Sequence, residues 1–253
     1  MKYGWDHPAT AERYEQFCGR HARYREANEH LIARAAVERS QSILDIASGT
    51  GRTAEGALSA GASVVCCEPS TAMRCIGMRR LPDAEWLQSW PRRMFDRILC
   101  GAGVWQLLPL GDSFERLCGL LRPGGAFVFN IPGLHLRVPD EPGGGSDPLL
   151  FEFASQLAAG SVPVAAPVEP LPDPSGIEAM LSAAGFDPEP WRFRIRITQA
   201  SLRDWMKIPV LTDALLGELD LEARDRRIEE AWRKVDPESW KWETWLGWTA
   251  WKR

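Results

Sequence analysis

A short segment of the chain combines acids and glycines in a spacing that suits a small charged ligand. Residues 42–54 read SILDIASGTGRTA, and the apolar start predicts a buried strand that carries Asp45. Gly49 and Gly51 predict a turn whose backbone can approach a ligand closely, because glycine has no Cβ. The helix expected after the turn directs its unpaired N–H groups at the same place. A second apolar run ends in Glu68, which stands where the ribose of a nucleoside cofactor lies in such folds.

The elements that must position these residues alternate along the first half of the chain. Apolar runs separated by helical patterns predict parallel strands with helices on both faces, which is an α/β doubly wound, mostly parallel sheet. Loops at the carboxyl ends of such strands are where these sheets bind ligands. The predicted strands cover residues 42–46, 63–67, 84–87, 95–100 and 126–131.

The second half of the chain is less regular. Pro and Gly are concentrated between residues 132 and 174 around an apolar stretch at 149–159, and a loop of this length is typical of a lid or a binding segment. Ser175 and Glu178 match a capping box at the start of a helix. The remaining residues predict an edge strand at 191–198, mainly helical structure at 202–230 and a tryptophan-rich final strand at 240–251.

A chain of 253 residues predicts a single domain with four parts. These are an N-terminal helical cap at 1–40, a cofactor-binding half at 41–132, a lid inserted between strands five and six at 133–174, and C-terminal helices and strands at 175–253.

The bulk composition excludes some partners and locations. A formal net charge of −4 gives no broad attraction to nucleic acids or anionic lipids. No apolar run approaches the ~18 residues that a membrane span needs. The six cysteines show no C-x-x-C spacing, which favours reduced thiols over disulfides or a zinc site. We therefore expect a cytoplasmic protein.

Four separated motifs resemble those of the class I S-adenosylmethionine-dependent methyltransferases. ILDIASGTG resembles the family's first motif, and CCEPS followed by Met73 resembles its ribose-binding acid and the loop after it. FDRILCGAGVWQL resembles the fourth motif, and LLRPGGAFVFNIP is similar to the stretch that leads into strand five. Their order and spacing together are specific. The resemblance covers residues 42–186 and extends to residue 251, and it implies a Rossmann-like fold with S-adenosylmethionine as cofactor.

The resemblance also implies which residues contact the cofactor. Asp45, Ala47 and Gly49 would border its methionine end, and Gly51 would lie beside its adenosine. Glu68 would accept hydrogen bonds from the ribose hydroxyls, since a carboxylate can accept two at once. The other implied contacts are Tyr14, Ser48, Pro69, Ser70, Met73, Leu87, Gln88, Cys100, Gly101, Ala102 and Trp105.

The sequence departs from the family at the adenine end. The acid that frequently bonds the adenine amino group is missing at residues 87–89, so Gln88 or backbone groups would have to take its place. Trp86 or Trp90 offers a ring for stacking on adenine, and ordinary packing is the alternative for both.

The N-terminal residues supply the candidates for acid–base catalysis. A general base helps methyl transfer when the acceptor must lose a proton. Aromatic spacing predicts one helix face that holds Tyr14, His21 and Tyr24, and in similar enzymes such a helix covers the cofactor. His21 is the first base candidate and Tyr14 the second; a histidine that is only hydrogen-bonded at a helix contact is the alternative. The candidates for acceptor binding are Trp105, His135 and Glu152.

The segment after strand four bears on the acceptor. Gly101-Ala102-Gly103 stands where enzymes that methylate exocyclic amines of bases carry an Asn-Pro-Pro-Tyr-like tetrapeptide. No acidic cluster suited to magnesium stands near that position, so no metal is expected. We predict methyl transfer to O, N or C of a small molecule, with neither nucleic acid nor membrane as partner. A role in specialised metabolism is the expected setting, and the acceptor itself is not identified.

Two alternatives from other functional classes remain open. Gly49, Gly51 and Ala54 also satisfy the dinucleotide-binding pattern G-x-G-x-x-A with an acid downstream, so an NAD(P)-dependent oxidoreductase is the main rival. A non-catalytic S-adenosylmethionine-binding protein would keep the same turn together with Glu68.

Overall fold

A computed structural model gives the positions of residues 2–138 and 171–253. As far as they are described, the residues form two compact units. The larger unit comprises residues 24–138, 171–194 and 244–253, and the smaller unit comprises residues 2–23 and 195–243. Most of the predicted lid, with its candidate Glu152, lies outside the described residues.

The strands of the described residues form one mixed sheet. They are β1 (Ser42–Ile46), β2 (Ser63–Cys67), β3 (Glu85–Leu87), β4 (Phe95–Gly101), β5 (Leu121–Pro132), β6 (Phe186–Thr198) and β7 (Trp240–Lys252). Their order in the sheet is β3-β2-β1-β4-β5-β7-β6. β1 is parallel to β2 and β4, β4 is parallel to β5, and β5 is antiparallel to β7. The predicted doubly wound, mostly parallel α/β fold is confirmed.

Helices connect these strands and build the smaller unit. Those of the larger unit are α2 (Arg23–Ala35), which begins at the last residue of the smaller unit, α3 (Arg52–Ser59), α4 (Thr71–Arg80), α5 (Leu110–Gly119) and α6 (Pro174–Ala183). The smaller unit contains α1 (Pro8–Arg20), α7 (Gln199–Met206), α8 (Asp213–Leu216) and α9 (Leu221–Trp232). Within the described ranges, every helix is too short or too polar to cross a membrane.

Alternate residues of the central strands belong to two separate hydrophobic clusters. In β1, Ile43 packs in one cluster and Leu44 in the other, and Val128 and Phe129 of β5 divide in the same way. Because successive side chains of a strand point to opposite faces, both faces of the sheet are buried. This explains why the strands appear in the sequence as nearly continuous apolar runs.

Two tryptophans of the final strand are core residues. Trp245 and Trp248 are fully buried, and the Trp248 ring stacks on Phe129 with 5.3 Å between centroids. Trp245 stacks on Phe193 at 5.9 Å. These side chains pack the terminal strand into the larger unit, which is the ordinary structural role of buried aromatic residues.

The prediction of one N-terminal helix face is wrong. α1 stops before His21, which is extended, so His21 and Tyr24 do not share a helix with Tyr14. The backbone N–H of His21 makes the last i→i−4 bond of the helix, to the Phe17 carbonyl at 2.9 Å, and Gly19 near this end has a low helix propensity. Tyr24 lies in α2 instead.

The predicted capping box of α6 is also wrong. Asp173 rather than Ser175 is the N-cap, and its carboxylate accepts a backbone N–H of the first turn at 2.7 Å. Pro174 favours this start, because the first helical position needs no N–H donor. Glu178 is engaged elsewhere, since it accepts a hydrogen bond from the Trp248 indole at 3.2 Å.

Two further boundaries differ from the prediction. β5 begins at Leu121 rather than near residue 126, because Leu121 already pairs with Phe95 before the register shifts. The stretch 202–230 is not continuous: α7, a 3-10 helix at Pro209–Thr212, α8 and α9 succeed one another. Pro209 cannot donate a backbone N–H, which interrupts the helix there.

Gly77 in α4 leaves room for the Trp86 ring. A Cβ added to Gly77 would lie 2.0 Å from Cη2 of Trp86. Gly77→Ala should therefore lower the free energy of unfolding by about 1–3 kcal/mol, the usual cost of overpacking, which chemical denaturation measures. Gly119→Ala is the control, since no atom lies within 4 Å of its added Cβ. Equal stability of the two variants would contradict the tight packing of Trp86.

Candidate functional site

Asp45 is a fully buried acid in β1. Its Oδ2 accepts a hydrogen bond from the Ala54 backbone N–H of α3 at 3.2 Å, whereas Oδ1 has no hydrogen-bond partner among the described residues. Burial raises the pKa of Asp45 to about 8; the Ala54 hydrogen bond opposes this shift and the charge of Glu68 adds to it. A buried carboxyl with an unengaged oxygen suits a cationic or hydrogen-bond-donating ligand group.

Glu68 follows β2 and bonds to the turn after β1. Its Oε2 accepts the Gly49 backbone N–H at 2.8 Å, and its Oε1 accepts the Ser70 backbone N–H at 2.8 Å. The residue is only 7% exposed. These charge-assisted bonds fix the carboxylate beside the glycine turn.

The turn between β1 and α3 uses left-handed backbone at three positions. Ala47, Gly49 and Gly51 have φ angles of 55°, 55° and 82°. A Cβ added to Gly51 would lie 2.8 Å from Cδ1 of Leu81 and 3.1 Å from the Trp86 ring, so this position requires glycine. A positive φ is uncommon for alanine, and such backbone occurs at functional sites where surrounding contacts hold it in place.

The residues expected at the ribose and adenine end surround Glu68. Ser70 caps α4, and its hydroxyl accepts the backbone N–H of Met73 at 3.1 Å. The Leu87 carbonyl accepts the Glu68 backbone N–H at 2.9 Å. Ser70 and Met73 are buried, Leu87 is half-buried, and Pro69 and Gln88 are exposed. The structure thus gathers these predicted positions at the ends of β2 and β3.

The two tryptophans considered for adenine stacking have contacts within the protein. The Trp86 indole donates to the Leu81 carbonyl at 3.3 Å, and its ring packs against Gly77. The Arg116 guanidinium lies 4.4 Å from the Trp90 ring centroid. These contacts favour the packing interpretation of both rings.

The turn after β4 is held by a buried amide. The Ala102 N–H donates to Oδ1 of Asn130 at 2.9 Å, and Nδ2 of Asn130 donates to the Ala27 carbonyl of α2 at 2.9 Å. Ala102 has a φ of 50°. Asn130 was not predicted as a site residue, although a lone polar residue within the apolar run of β5 is a signal that could have found it.

The turns after β1 and β4 lie against each other. A Cβ added to Gly103 would lie 3.0 Å from the Ala47 Cβ. Cys100 is fully buried; burial and then the charge of Asp45 raise the pKa of its thiol well above the usual value, so the thiol stays neutral. The predicted cofactor residues of both turns therefore meet at the carboxyl edge of the sheet.

Two of the residues considered for acceptor binding are stacked on each other. Trp105 lies in the 3-10 helix Val104–Gln106, and His135 lies in the 3-10 helix Gly133–Leu136. Their ring centroids are 4.3 Å apart with an interplanar angle of 18°. The stack forms a flat aromatic surface in the segments that follow β4 and β5.

His21 and Tyr14 belong to the smaller unit. The Nε2 of His21 lies 2.9 Å from Oδ2 of Asp204, and Oδ1 of Asp204 accepts a hydrogen bond from Nε of Arg203 at 2.8 Å. Burial disfavours the charged form of Asp204, but the hydrogen bonds from His21 and Arg203 outweigh it and lower its pKa. The Tyr14 ring makes an edge contact with Trp5 at 6.0 Å.

The cysteines and acids form no further site in the part of the chain that is described. All six cysteines have free thiols in the structure. Between residues 2 and 138 and from 171 onward, no group of three or more His, Cys, Asp or Glu side chains is arranged to hold a metal ion.

Asn130→Ala should destabilise the protein, because it leaves the Ala102 N–H and the Ala27 carbonyl without their partner. Each of the two lost hydrogen bonds contributes about 0.5–1.5 kcal/mol, and the free energy of unfolding from chemical denaturation measures the loss. Gln106→Ala removes an exposed amide near the same turn and serves as the control. Unchanged stability of Asn130→Ala would mean that the amide does not hold the turn.

A comparison with models of protein families matches residues 44–129 to a methyltransferase domain. The matched segment begins in β1 and ends in β5. It includes the Asp45 carboxyl, the glycine turn and Glu68.

Two curated relatives are both named demethylmenaquinone methyltransferase. The protein from Paenarthrobacter aurescens (strain TC1) is 30% identical over 98 residues, which cover 36% of this chain and 39% of the relative. The protein from Beutenbergia cavernae is 26% identical over 165 residues, which cover 57% of this chain and 65% of the relative. This chain therefore matches less than two thirds of the length of either relative.

Among solved structures, the YcgJ protein from Bacillus subtilis has the same fold. It aligns with a TM-score of 0.58 and 16% sequence identity, over 90% of this chain and 99% of that chain. At this identity the likeness concerns the fold and not the chemistry.

Proposed function

We propose that this chain, whose residues 44–129 match a methyltransferase domain, is a class I S-adenosylmethionine-dependent methyltransferase that transfers a methyl group from S-adenosylmethionine to a small-molecule acceptor. The observation that carries the proposal is the fully buried Asp45 carboxyl, one oxygen of which has no hydrogen-bond partner in the described part of the chain. S-adenosylmethionine carries an ammonium and a sulfonium cation, and a nearby cation favours the ionised form of a buried carboxyl.

The residues around Asp45 fit this cofactor. Asp45 and the turn from Ala47 to Gly51 would hold its methionine end, and Glu68 would hold its ribose hydroxyls. When bound, the cofactor supplies an electrophilic methyl group. The protein has to align the acceptor and exclude water. The ends of β1 and β4 are buried, so they would hold the reacting groups in fixed positions away from solvent.

The matching family model favours methyl transfer over dinucleotide-dependent oxidoreduction. Both classes use a glycine turn and a downstream acid, so these two features alone do not separate them. The match extends through β4 to β5, beyond the glycine turn and the downstream acid.

We infer that the acceptor is an electron-rich ring, methylated at carbon. The names of curated relatives support this class: two are demethylmenaquinone methyltransferases, and another is a C-methyltransferase of ubiquinone/menaquinone biosynthesis. The stacked Trp105 and His135 add an aromatic surface of the kind on which such a ring packs. Ring methylation in specialised metabolism and a cytoplasmic location are parts of the same proposal, and the six free thiols fit a reducing compartment.

We assign removal of the acceptor's proton to His21. The hydrogen bond to Asp204 orients the imidazole and directs the Nε2 proton to the carboxylate, which leaves Nδ1 as the basic atom. Phe17 supports the ring, with 4.9 Å between centroids. Asp204 is in turn fixed by Arg203. A carboxylate–histidine pair of this kind is a recurrent arrangement in general-base catalysis.

The test of the proposed function is transfer of radioactive label from methyl-labelled S-adenosylmethionine to demethylmenaquinol. Label should enter the organic extract in proportion to active protein and should be absent with Asp45→Ala. If S-adenosylmethionine binds but no quinol accepts label, the ring-acceptor proposal is wrong. If neither cofactor binding nor transfer occurs, the methyltransferase proposal itself fails.

The raised pKa of Asp45 predicts that cofactor affinity depends on pH. Below about pH 8 the carboxyl holds a proton, which a cationic ligand must displace, so affinity should rise between about pH 5.5 and 7.5 by up to tenfold per unit. Titration calorimetry in buffers of different ionisation enthalpy should detect the released proton. Asp45→Asn should bind more weakly and without this proton release; an unchanged release would place the titrating group elsewhere.

The raised pKa of Asp45 also makes its contribution to the stability of the ligand-free protein depend on pH. The folded chain retains a proton that an unfolded aspartate loses near its ordinary pKa of about 3.9. The contribution of Asp45 to the free energy of unfolding should therefore fall as the pH rises from about 4 to about 8 and stay constant above that range.

A further inference from the structure

The smaller unit contains a cavity of about 250 Å³, and its wall includes Asp204, the residue that orients His21 in the proposed methyl transfer. Its walls come from α1, α7 with the residue that follows it, and α9. The charged side chains that line it are Arg13, Arg20, Arg203, Lys207, Asp204 and Asp225. Four basic groups thus face two acidic ones, in a chain whose formal net charge is −4.

Carboxylates hold three of the basic groups in fixed positions. Arg13 donates from both Nη atoms to Asp225, at 2.6 Å and 2.9 Å, and from Nη1 to the Lys207 carbonyl at 3.0 Å. Arg203 donates to Asp204 at 2.8 Å. The Lys207 ammonium is paired with Glu229, which lies on α9. Fixed side chains lose little conformational entropy when a ligand binds.

These bonds do not use all the N–H donors of the basic side chains. A guanidinium has more N–H groups than Arg13 and Arg203 use, and the Lys207 ammonium has more than its bond to Glu229 uses. Arg20 has no hydrogen bond or ion pair with any described residue, and it is the last residue of α1. The side chains of Arg13, Arg203 and Lys207 are only 23–26% exposed, so water screens their charges incompletely.

A ligand that satisfies these groups must be an acceptor with several oxygens. A phosphate group carries close to two negative charges at neutral pH and only acceptor-type oxygens around a tetrahedral centre. The cavity volume exceeds the ≈30 Å³ share of a liquid water molecule several times, which leaves space for such a group. We propose that this cavity, bounded by Arg13, Arg20, Arg203 and Lys207, is a binding site for a phosphate group.

Titration calorimetry with inorganic phosphate at constant ionic strength tests the proposal. We expect saturable binding with a Kd on the order of 1 mM or tighter. Arg20→Gln should weaken it about tenfold, the loss expected for one charge-assisted hydrogen bond, and Arg20→Lys should restore part of it. Arg20 is exposed, so these variants should fold normally. Arg226→Gln, an exposed residue of α9 outside the cavity wall, is the control and should bind like the parent.

Two further ligands test which kind of anion the cavity prefers. Acetate at the same ionic strength should bind more weakly than phosphate, because a single carboxylate engages fewer of the donors. Glycerol 3-phosphate shows whether the phosphate group belongs to a larger molecule. Tighter binding than inorganic phosphate indicates a phosphorylated metabolite, and equal binding indicates the free phosphate ion. The proposal is overturned if phosphate binding does not saturate, if acetate binds as tightly as phosphate, or if Arg20→Gln binds phosphate as tightly as Arg226→Gln does.

Discussion

Replacing His21 with glutamine should lower kcat by about 10²–10⁴-fold while leaving S-adenosylmethionine affinity within about twofold. The expected loss corresponds to roughly 3–5 kcal/mol of barrier. Its cause is removal of the imidazole that Asp204 orients through a 2.9 Å contact. Single-turnover rates with labelled cofactor and saturating quinol give the effect on chemistry, and titration calorimetry gives the effect on cofactor binding.

His30→Gln is the matched control for this experiment, since His30 is an exposed histidine of α2 that contacts Phe193. Asp204→Asn tests the arrangement further: it should lower kcat, leave cofactor affinity intact and shift the pH profile of kcat, because the imidazole loses its orienting charge. A loss of less than about fivefold in kcat for His21→Gln would instead favour catalysis by alignment alone.

Replacing Glu68 with alanine should weaken S-adenosylmethionine binding by about 10- to 150-fold, equivalent to roughly 1.5–3 kcal/mol for hydrogen bonds to a charged group. The carboxylate would bond the ribose hydroxyls while it holds the Gly49 and Ser70 backbone N–H groups. Its removal therefore takes away a ligand contact and loosens the turn. Titration calorimetry with S-adenosylhomocysteine measures the loss without turnover.

Two controls separate these roles of Glu68. Glu68→Gln keeps an oxygen acceptor of nearly the same shape, so it should retain more stability than Glu68→Ala but still bind the cofactor more weakly than the parent. Glu115→Ala removes an exposed acid of α5 and should change neither property. Parent-like affinity in Glu68→Ala would show that the ribose lies elsewhere.

The parts of the site that could be predicted from the sequence are those encoded by consecutive residues. The strand, glycine turn and helix at residues 42–54 depend on local periodicity and on backbone freedom at Gly49 and Gly51, and the structure has all three elements in place. Glu68 could be predicted because it directly ends an apolar strand. The sheet could be predicted from the alternation of strands and helices, because strands that are buried on both faces appear in the sequence as continuous apolar runs.

The parts that could not be predicted depend on partners distant in the sequence. Asn130 bonds Ala102, 28 residues away, and His21 contacts Asp204, 183 residues away. No local pattern specifies such pairs. The break between α1 and α2 was missed for a related reason, because helical periodicity continues through His21 although its backbone is extended.

The most direct test of the account is thermal unfolding with each nucleoside ligand in turn. At about 100 times its dissociation constant, S-adenosylmethionine or S-adenosylhomocysteine should add about 2.7 kcal/mol of stability and raise Tm by roughly 5–10 °C. NAD at the same concentration should leave Tm unchanged. Stabilisation by NAD, with no response to either S-adenosyl compound, would contradict the assignment of the site around Asp45 and Glu68 to S-adenosylmethionine.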